Sequence, residues 1–597
     1  MIDVAGAIST PRDRGLAPGL SARRLLVAGL NFASWLGLGL VMAHLIGTGG
    51  WSWLQWLILL LFLAGLPWTL MGFWNSVIGF VIARIVSDPA GYTNPCLRAA
   101  PNDSPITART VICLAVRHEE VGLVMARLET MVESIAATAW ADRFSFHLLS
   151  DSSRPEVVAA EEQGFAALTA RHPRGGFLHY RRRAANSGFK AGNLREFAER
   201  ARRDHDFMIV LDADSLMSAA AILRLVRVMQ AHPRLGILQT LVVGQPAESA
   251  FARIFQFGMR HAMRVHTIGI AWWQGPSGPY WGHNAILRLD PFVAYCGLPV
   301  LIGRPPLGGP VLSHDQVEAA LMQAAGYEVR LIADEYESWE ENPPSLPAFI
   351  KRDLRWCQGN MQYLRLVARR GLTHMGRFQL VSAILMYLGA PLWLLMLAAG
   401  LGLALLPPNP APTNFPTSLA FGLYVGMLGI GFAPRLFGVV DVLLRREERA
   451  RHGGALRLLA GSAIDALFSL LIGPVVMIAQ ARFELGLVFG RRITWEAQKR
   501  NGQRLALREA WRGLWPQVTF GALFAAALGA VAPGALPWAA PTLAACALAI
   551  PFARGTAGEG LGRWMARHRL CAGPEEFEAP AVLRRSVAPG SHGGGEP

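Results

Sequence analysis

Charge is scarce in this sequence. Only 17% of its 597 residues are Asp, Glu, Lys or Arg while 52% are apolar, a balance too oily for an ordinary soluble enzyme, so part of the chain lies in lipid. Cysteine is scarce as well, and the residues at 96, 113, 296, 357, 546 and 571 form no CxxC pair and no metal-ligand spacing. That excludes a zinc site and argues for a reducing compartment. No GxxxxGKS or GxxxxGKT run occurs, which excludes a Walker-type phosphate loop. No internal repeat is present, and the first apolar run lacks a small-x-small cleavage site and is too long for a signal-peptide core, so it is read as retained. Acidic groups are outnumbered, 42 against 57 Lys+Arg, for a net charge of +15. In a soluble module that surplus would suit nucleic acid. Here the arginines flank apolar runs, as in the cytoplasmic loops of a membrane protein, so the partner read is membrane lipid and no nucleic acid.

What is present sorts into blocks. After a cytoplasmic N-terminal segment (1–23), apolar runs at 24–46 and 52–84 are each long enough to cross a bilayer. From 86 to 375 charges appear throughout, and short apolar runs alternate with amphipathic helix-length segments, the pattern of a soluble α/β domain. Strands are expected at 110–116, 144–150, 177–182, 207–213 and 327–333, each ending in a polar cluster where open α/β sheets bind ligands. Further crossings are expected at 378–406, 417–440, 518–534 and 537–553. The loops at 407–417 and 533–537 are uncharged, whereas 444–452, 482–513 and the tail from 554 to 597 are Arg-rich. The positive-inside rule then places the α/β domain and both termini in the cytoplasm. The segment 459–481 has a basic loop on either side and so cannot cross an odd number of times. Within the cytoplasmic or interfacial region 441–517, it is read as an interfacial helix or one dipping at Gly473-Pro474, with a two-helix hairpin as the alternative. The final dozen residues read as a disordered tail.

The chemistry-bearing residues follow the strands. LDADS (211–215) places two carboxylates, Asp212 and Asp214, at a strand end, where one can hold a Mg²⁺ or Mn²⁺ ion and the other a group bound to it. A bland alternative is an Asp-rich turn. RRRAANSGFKAGNLREF (181–197) brings Gly188, Lys190, Gly192 and Asn193 to a helix start, where backbone N–H groups and a lysine suit a phosphate; the alternative is a solvated basic turn. Asp315, in VLSHDQVEAALMQAAGYEV (311–329), opens an amphipathic helix, either as a cap or as a general base. RDLRWCQGN (352–360) places Trp356 among arginines shortly before a membrane run, which a freely solvated face would not favour.

The order of these stretches is more specific than any one of them. Strands ending in AVRHEE and LLSD, then FKAGN, LDADS, SHD and RW ahead of a membrane run, resemble the processive family-2 glycosyltransferases, the cellulose and hyaluronan synthase group. GPYWGHNAILR (278–288), YESWEENPPSLPAFIKRDLRWCQGN and FGRRITWEAQKR (489–500) resemble within that group the glucan glucosyltransferases of osmoregulated periplasmic glucan synthesis. The cellulose synthase pattern is QxxRW, and Arg352 stands where its Gln would be.

The resemblance implies a GT-A type α/β glycosyltransferase domain inserted between transmembrane helices of a multi-pass inner-membrane protein. It implies a divalent cation, UDP-glucose as donor, a growing glucan as acceptor, and inverting, processive β-glucan synthesis with export. It implies roles residue by residue. Glu119 and Asp151 hold uridine, Lys190 the diphosphate, Asp212 UDP and Asp214 the metal. Asp315 is the base, Arg355 and Trp356, with Arg352 beside them, serve the diphosphate and acceptor, and 482–500 is a gating loop carrying Thr494 and Trp495. Periplasmic glucan-processing proteins or an acyl carrier protein are possible partners. The first-strand motif departs from the family at Ala115 and His118. Rival readings are another polysaccharide synthase, a lipid glycosyltransferase, or a nucleotide-binding scaffold or transporter. A phosphatase using a strand-end DxD fits poorly, because the residue after Asp214 is Ser215.

Overall fold

The computed structural model describes residues 19–172, 176–406, 415–493 and 505–586. Two long apolar helices come first, α1 (Leu20–Gly47) and α2 (Trp53–Ile85), followed by the short α3 (Pro89–Thr93). An alternating run then gives β1 (Thr110–Val116), α4 (Val121–Ala136), β2 (Phe144–Ser150), α5 (Pro155–Arg171), β3 (Leu178–Arg182), α6 (Phe189–Ala201) and β4 (Phe207–Asp212). It continues through β5 (Leu216–Met217), α7 (Ala219–Ala231), β6 (Leu235–Gly244), α8 (Ala250–Gln274), β7 (Ala285–Arg288), α9 (Leu289–Tyr295), α10 (Asp315–Ala324), β8 (Glu328–Glu340) and α11 (Leu346–Met361). The rest is helical: α12 (His374–Leu405), α13 (Thr417–Leu444), α14 (Arg446–Arg451), α15 (Ala455–Val488), α16 (Leu507–Val531), α17 (Leu536–Ala557), α18 (Glu559–Arg567) and α19 (Ala581–Ser586).

The strands form one eight-stranded sheet in the order β3-β2-β1-β4-β7-β6-β8-β5. From β3 to β4 it is parallel, and β7 then enters antiparallel to both β4 and β6. Alternation along β1 sends Ile112 and Leu114 into a core with Leu128, Met131 and Ile222. It sends Val111 and Cys113 to the opposite face, with Leu194, Phe197 and Met322. The five expected strands correspond to β1 to β4 and β8. β6 escapes a sequence reading because all ten of its residues are buried, so it lacks the alternation that distinguishes a strand from a buried helix.

Helix α8 joins the sheet to the membrane part, packing on β6 and β8 and also on α1, α2 and α13. Its neighbours approach backbone to backbone. A Cβ on Gly79 of α2 would fall 1.8 Å from the Val265 carbonyl oxygen, and one on Gly438 of α13 1.9 Å from that of His261. Only glycine permits that spacing. At this junction the fully buried Asp441 accepts from Arg264 Nε at 2.9 Å and Arg445 Nε at 3.0 Å.

Among the described residues, seven helices are long and apolar enough to cross a bilayer: α1, α2, α12, α13, α15, α16 and the segment Pro533–Ala557 that contains α17. The chain is a multi-pass membrane protein. The segment 459–481 lies within α15, which continues through Gly473-Pro474 without a turn, so neither the hairpin nor the dip forms. Pro474 removes one amide donor, but buried Ile472, Val475 and Ala479 on either side hold the helix in a shared core with α8 and α17. Both stretches of α15 meet the α/β domain: Gly461 lies against the Phe257 ring of α8, and Gln480 Nε2 donates to Asp353 Oδ2 of α11 at 2.7 Å. Residues 482–488, expected as the start of a loop, are the last turns of this helix.

The chain then returns to the α/β domain. Glu575 is clamped by Arg260 at 2.6 and 3.0 Å, Glu576 pairs with Arg253, and Val582 and Leu583 of α19 enter the core beneath α4. The described part of the C-terminal tail is therefore folded onto the α/β domain.

Candidate active site

The site forms along the C-terminal edge of the parallel strands. Register pairs Val116 with Ser150 and Ala115 with Asp212, so Asp151 and Asp212 flank the end of β1, and Glu119 follows in the next loop. Asp151 is buried and receives both sides of the Arg183 guanidinium, Nε at 2.8 Å and Nη2 at 2.9 Å. The same guanidinium donates to the Ser187 and Phe189 carbonyls, each at 3.1 Å. One arginine thus holds the Asp151 carboxylate and shapes the loop that enters α6.

Lys190 lies in the first turn of α6. Its ammonium ion-pairs with Asp212 and donates to the Gly282 carbonyl at 2.8 Å. Gly282, at φ 83°, lies directly against Asp315, whose Cβ is 3.3 Å from where a Gly282 Cβ would be. Lys190, Asp212, Gly282 and Asp315 therefore form one contact chain, although 125 positions separate the terminal residues by number (315 − 190).

The Asp212–Asp214 turn is held from all sides. Ser215 Oγ accepts from the Asp212 amide at 3.0 Å, Arg127 Nη1 donates to the Ala213 carbonyl at 3.1 Å, and Gln245 Nε2 donates to the Asp214 carbonyl at 2.9 Å. Buried Arg127 also ion-pairs with Glu341. Behind this turn His283 Nε2 lies 3.4 Å from Glu340 Oε2. Burial opposes the His283 imidazolium, but Glu340 and then Asp212 outweigh it and raise the imidazole pKa. Burial also raises Glu340, against His283 and Arg352 and together with Asp214 and Asp212. Negative charge is concentrated here.

Asp315 opens α10, where the helix dipole favours a carboxylate. Next to it, burial works against charge on His314, but Glu318 at 2.9 Å overrides it and raises the pKa. The chain entering α10 is fastened to the end of α11: Tyr363 OH donates to the Ser313 carbonyl at 2.8 Å, and Gln362 Oε1 accepts from the Leu312 amide at 2.9 Å. On α11 the Arg352 guanidinium sits 4.8 Å over the Trp356 ring, which is 50% exposed. Arg355 is partly buried beside it. One residue from Arg352, Asp353 points the other way. It accepts from Tyr387 OH of α12 at 3.3 Å and from Gln480 of α15, and its burial raises its pKa. Helix α11 therefore offers an uncovered indole on one side and is bonded to the membrane helices on the other.

The structure joins Lys190 to Asp212 and to the Gly282 carbonyl, and sets Gly282 against Asp315, with Asp214 in the same turn as Asp212 and Arg352 close enough to act on Glu340. Asp151 stands apart, engaged by Arg183, and Thr494 and Trp495 lie outside the described residues. Sequence reasoning missed Arg127, Gln239, Gln245, His283, Glu340 and Glu341. His283 was signalled by GPYWGHN, whose turn Gln239 holds by accepting from the Trp281 amide at 2.8 Å and donating to the His283 carbonyl at 3.0 Å. Arg127 carries no signal, being one arginine on an amphipathic helix.

The chain is similar to known proteins. Residues 207–430 match the model of glycosyl transferase family group 2. A glucans biosynthesis glucosyltransferase H of Vibrio cholerae is 34% identical over 596 residues, covering 97% of this chain and 81% of the relative. The protein of the same name from Bradyrhizobium diazoefficiens is 36% identical over 92% of this chain and 74% of the relative. That from Xanthomonas euvesicatoria is 34% identical over 97% and 91%. Among solved structures, a mannosyltransferase from Pyrobaculum calidifontis in complex with GDP-Man and Mn²⁺ aligns with TM-score 0.37 and 17% identity, covering 62% of this chain and 99% of that one.

Proposed function

The chain belongs to the glucans biosynthesis glucosyltransferase H family of group 2 glycosyltransferases, and on that premise we propose that it polymerises glucose from UDP-glucose into a β-linked glucan with inversion, processively, and exports the product. The observation that carries this reading is that Lys190 bonds both Asp212 and the Gly282 carbonyl while Gly282 lies against Asp315. A cation suited to a departing diphosphate and a carboxylate able to take the acceptor's proton thus adjoin the same glycine turn.

Inversion needs a single base. Asp315 removes the proton from the acceptor hydroxyl as the sugar's anomeric carbon leaves the diphosphate, which Lys190 and Arg355 hold. Arg183 takes one bond to each Asp151 oxygen, and with Glu119 the carboxylate is placed to accept from uracil. Trp356 stacks on the acceptor sugar's C–H face, and Arg352 backs its ring. The hard oxygen donors of Asp214 and Asp212, amid concentrated negative charge, suit Mg²⁺ or Mn²⁺. When bound, such an ion offsets charge on the leaving diphosphate.

The Arg-rich loops support a cytoplasmic α/β domain in an inner-membrane protein. Helix α15 meets that domain at both Gly461 and Gln480, which supports a helix lying in the interface rather than crossing, with six crossings in all. The direct test supplies purified protein with a panel of UDP-sugars and analyses linkage in the product. A neutral, water-soluble glucan made from UDP-glucose is expected. Incorporation from another UDP-sugar only, or a product confined to lipid extracts, overturns the reading.

A further inference from the structure

Beyond the donor edge, at the outer end of β3, lies a cavity of about 410 Å³ walled by Arg181, Arg182, Arg183, Arg200, Ser187 and Glu196. Four arginines line it against one lining carboxylate, and one of them, Arg183, is also paired with Asp151. Glu196 is shared among three of them, at 3.2 Å from Arg181 Nη1, 3.0 Å from Arg200 Nη2 and 3.7 Å from Arg183 Nη1. Arg182 is exposed. Burial, with Arg200 and Arg183 nearby, depresses the Arg181 guanidinium despite Glu196. The fold thus gathers four arginines against Glu196 and Asp151, a surplus of positive charge, in a concavity large enough for a small molecule.

We propose that this cavity is a second anion site, for a soluble phosphate-bearing small molecule, coupled to the donor site through Arg183. The coupling is built into the bonds already described. Arg183 lines the cavity and also grips Asp151 and the Ser187 and Phe189 carbonyls. An anion bridging the strand end to α6 stiffens the turn that presents Lys190. The position favours a soluble source over a lipid headgroup. β3 is the sheet edge farthest from β6 and β8, on which α8 and the membrane helices pack, and five strand spacings separate β3 from β6, roughly 24 Å.

The test uses the full-length protein in detergent with inorganic orthophosphate as the probe, read by calorimetric titration. Three forms are compared: wild type, Arg182→Ala/Arg200→Ala, and Lys190→Met, which removes the donor-edge cation. Saturable binding in wild type is expected, weakened about tenfold or more in the double variant through loss of charge-assisted bonds, and retained in Lys190→Met. No saturable binding overturns the site. Binding lost in Lys190→Met but kept in the double variant also overturns it, because the anion would then occupy the donor edge. The coupling, unlike the binding, rests on the donor-site reading: phosphate should lower the KM for UDP-glucose about fivefold in wild type and not in the double variant. An unchanged KM in an active enzyme overturns the coupling alone, whereas absence of glucosyl transfer counts against the proposed function. In neutral-lipid versus anionic-lipid vesicles, activity that responds to anionic lipid only when Arg182 and Arg200 are present overturns the soluble source.

Discussion

The two halves of the sheet are held together in different ways. In the parallel half, β3 to β4, the ion pairs that shape the site are local: Arg183 and Asp151 are 32 residues apart, Lys190 and Asp212 only 22. In the mixed half, β7 to β5, they span the chain: Arg260 and Glu575 are 315 apart and Arg253 and Glu576 323, and Arg127 of α4 reaches across to it to pair with Glu341, 214 positions away. The Asp151 and Lys190 ion pairs can form once consecutive βα units fold, whereas the Asp212–Asp214 turn also relies on Arg127 and Gln245. The half bearing Glu340 and α8 is completed only when the chain has passed the last membrane helices and returned. On the proposed function, the Asp151 and Lys190 part of the donor edge is thereby preorganised, while the face toward acceptor and membrane depends on insertion of the whole chain.

The seam between the halves is Asp315, and substitution there should have the largest effect. Asp315→Asn keeps the shape and removes the base, so UDP release from UDP-glucose in membranes should fall about a thousandfold with folded protein still present. Wild-type rates would break the assignment. Within the parallel half, Lys190→Met leaves the Asp212 carboxylate without its cation and the diphosphate without a donor. kcat/KM for UDP-glucose should drop about a hundredfold, while elongation per UDP released stays unchanged. A loss of chain length at constant UDP release would instead move Lys190 to the acceptor side.

The same division explains what the sequence revealed. β1 to β4 are short apolar runs, and Asp151, Lys190, Asp212 and Asp214 sit at their ends or in the next turn, so pattern and position coincide. Asp315 and Trp356 were legible because each stands in a distinctive stretch near a helix start or a membrane run. Contact between Lys190 and Gly282 was not, since nothing local joins α6 to the GPYWGHN turn. Arg127 reads as a surface arginine until β8 brings Glu341 to it. β6 is uniformly buried and offers no period. The length and composition of 459–481 were evident, but the path of α15 depends on α8 and α11, which adjoin it only in three dimensions.

Trp356 sharpens the contrast from the acceptor side. Half of the indole is uncovered and its ring already has Arg352 on it, so Trp356→Ala removes stacking surface without opening the core. Losing a stacked ring of about 1 kcal/mol should reduce elongation several-fold to tenfold and shift the product toward shorter glucans. UDP release by hydrolysis should persist. An equal fall in hydrolysis would place Trp356 on the donor.

The smallest effect should come from acidifying the long-range half. Burial alone would raise Glu335, but Arg260 and Arg264 outweigh it and hold the carboxylate at about 2 in place of 4.5. A carboxylate depressed on folding contributes stability above its unfolded pKa and loses it as pH falls toward the folded one. The window is therefore from about 4.5 down to about 2. At neutral pH nothing changes; the loss is about 0.2 kcal/mol at pH 5 and about 1 kcal/mol at pH 4. Thermal unfolding of the detergent-solubilised protein should show that slope in wild type, and Glu335→Gln should remove its share. Asp151 and Asp212, in the parallel half, remain intact in that variant, so UDP affinity at pH 7 should be preserved. If Glu335→Gln instead weakens UDP binding as much as it weakens stability, the two halves are not separable, and the donor edge relies on the returning C-terminal segment as much as the membrane face does.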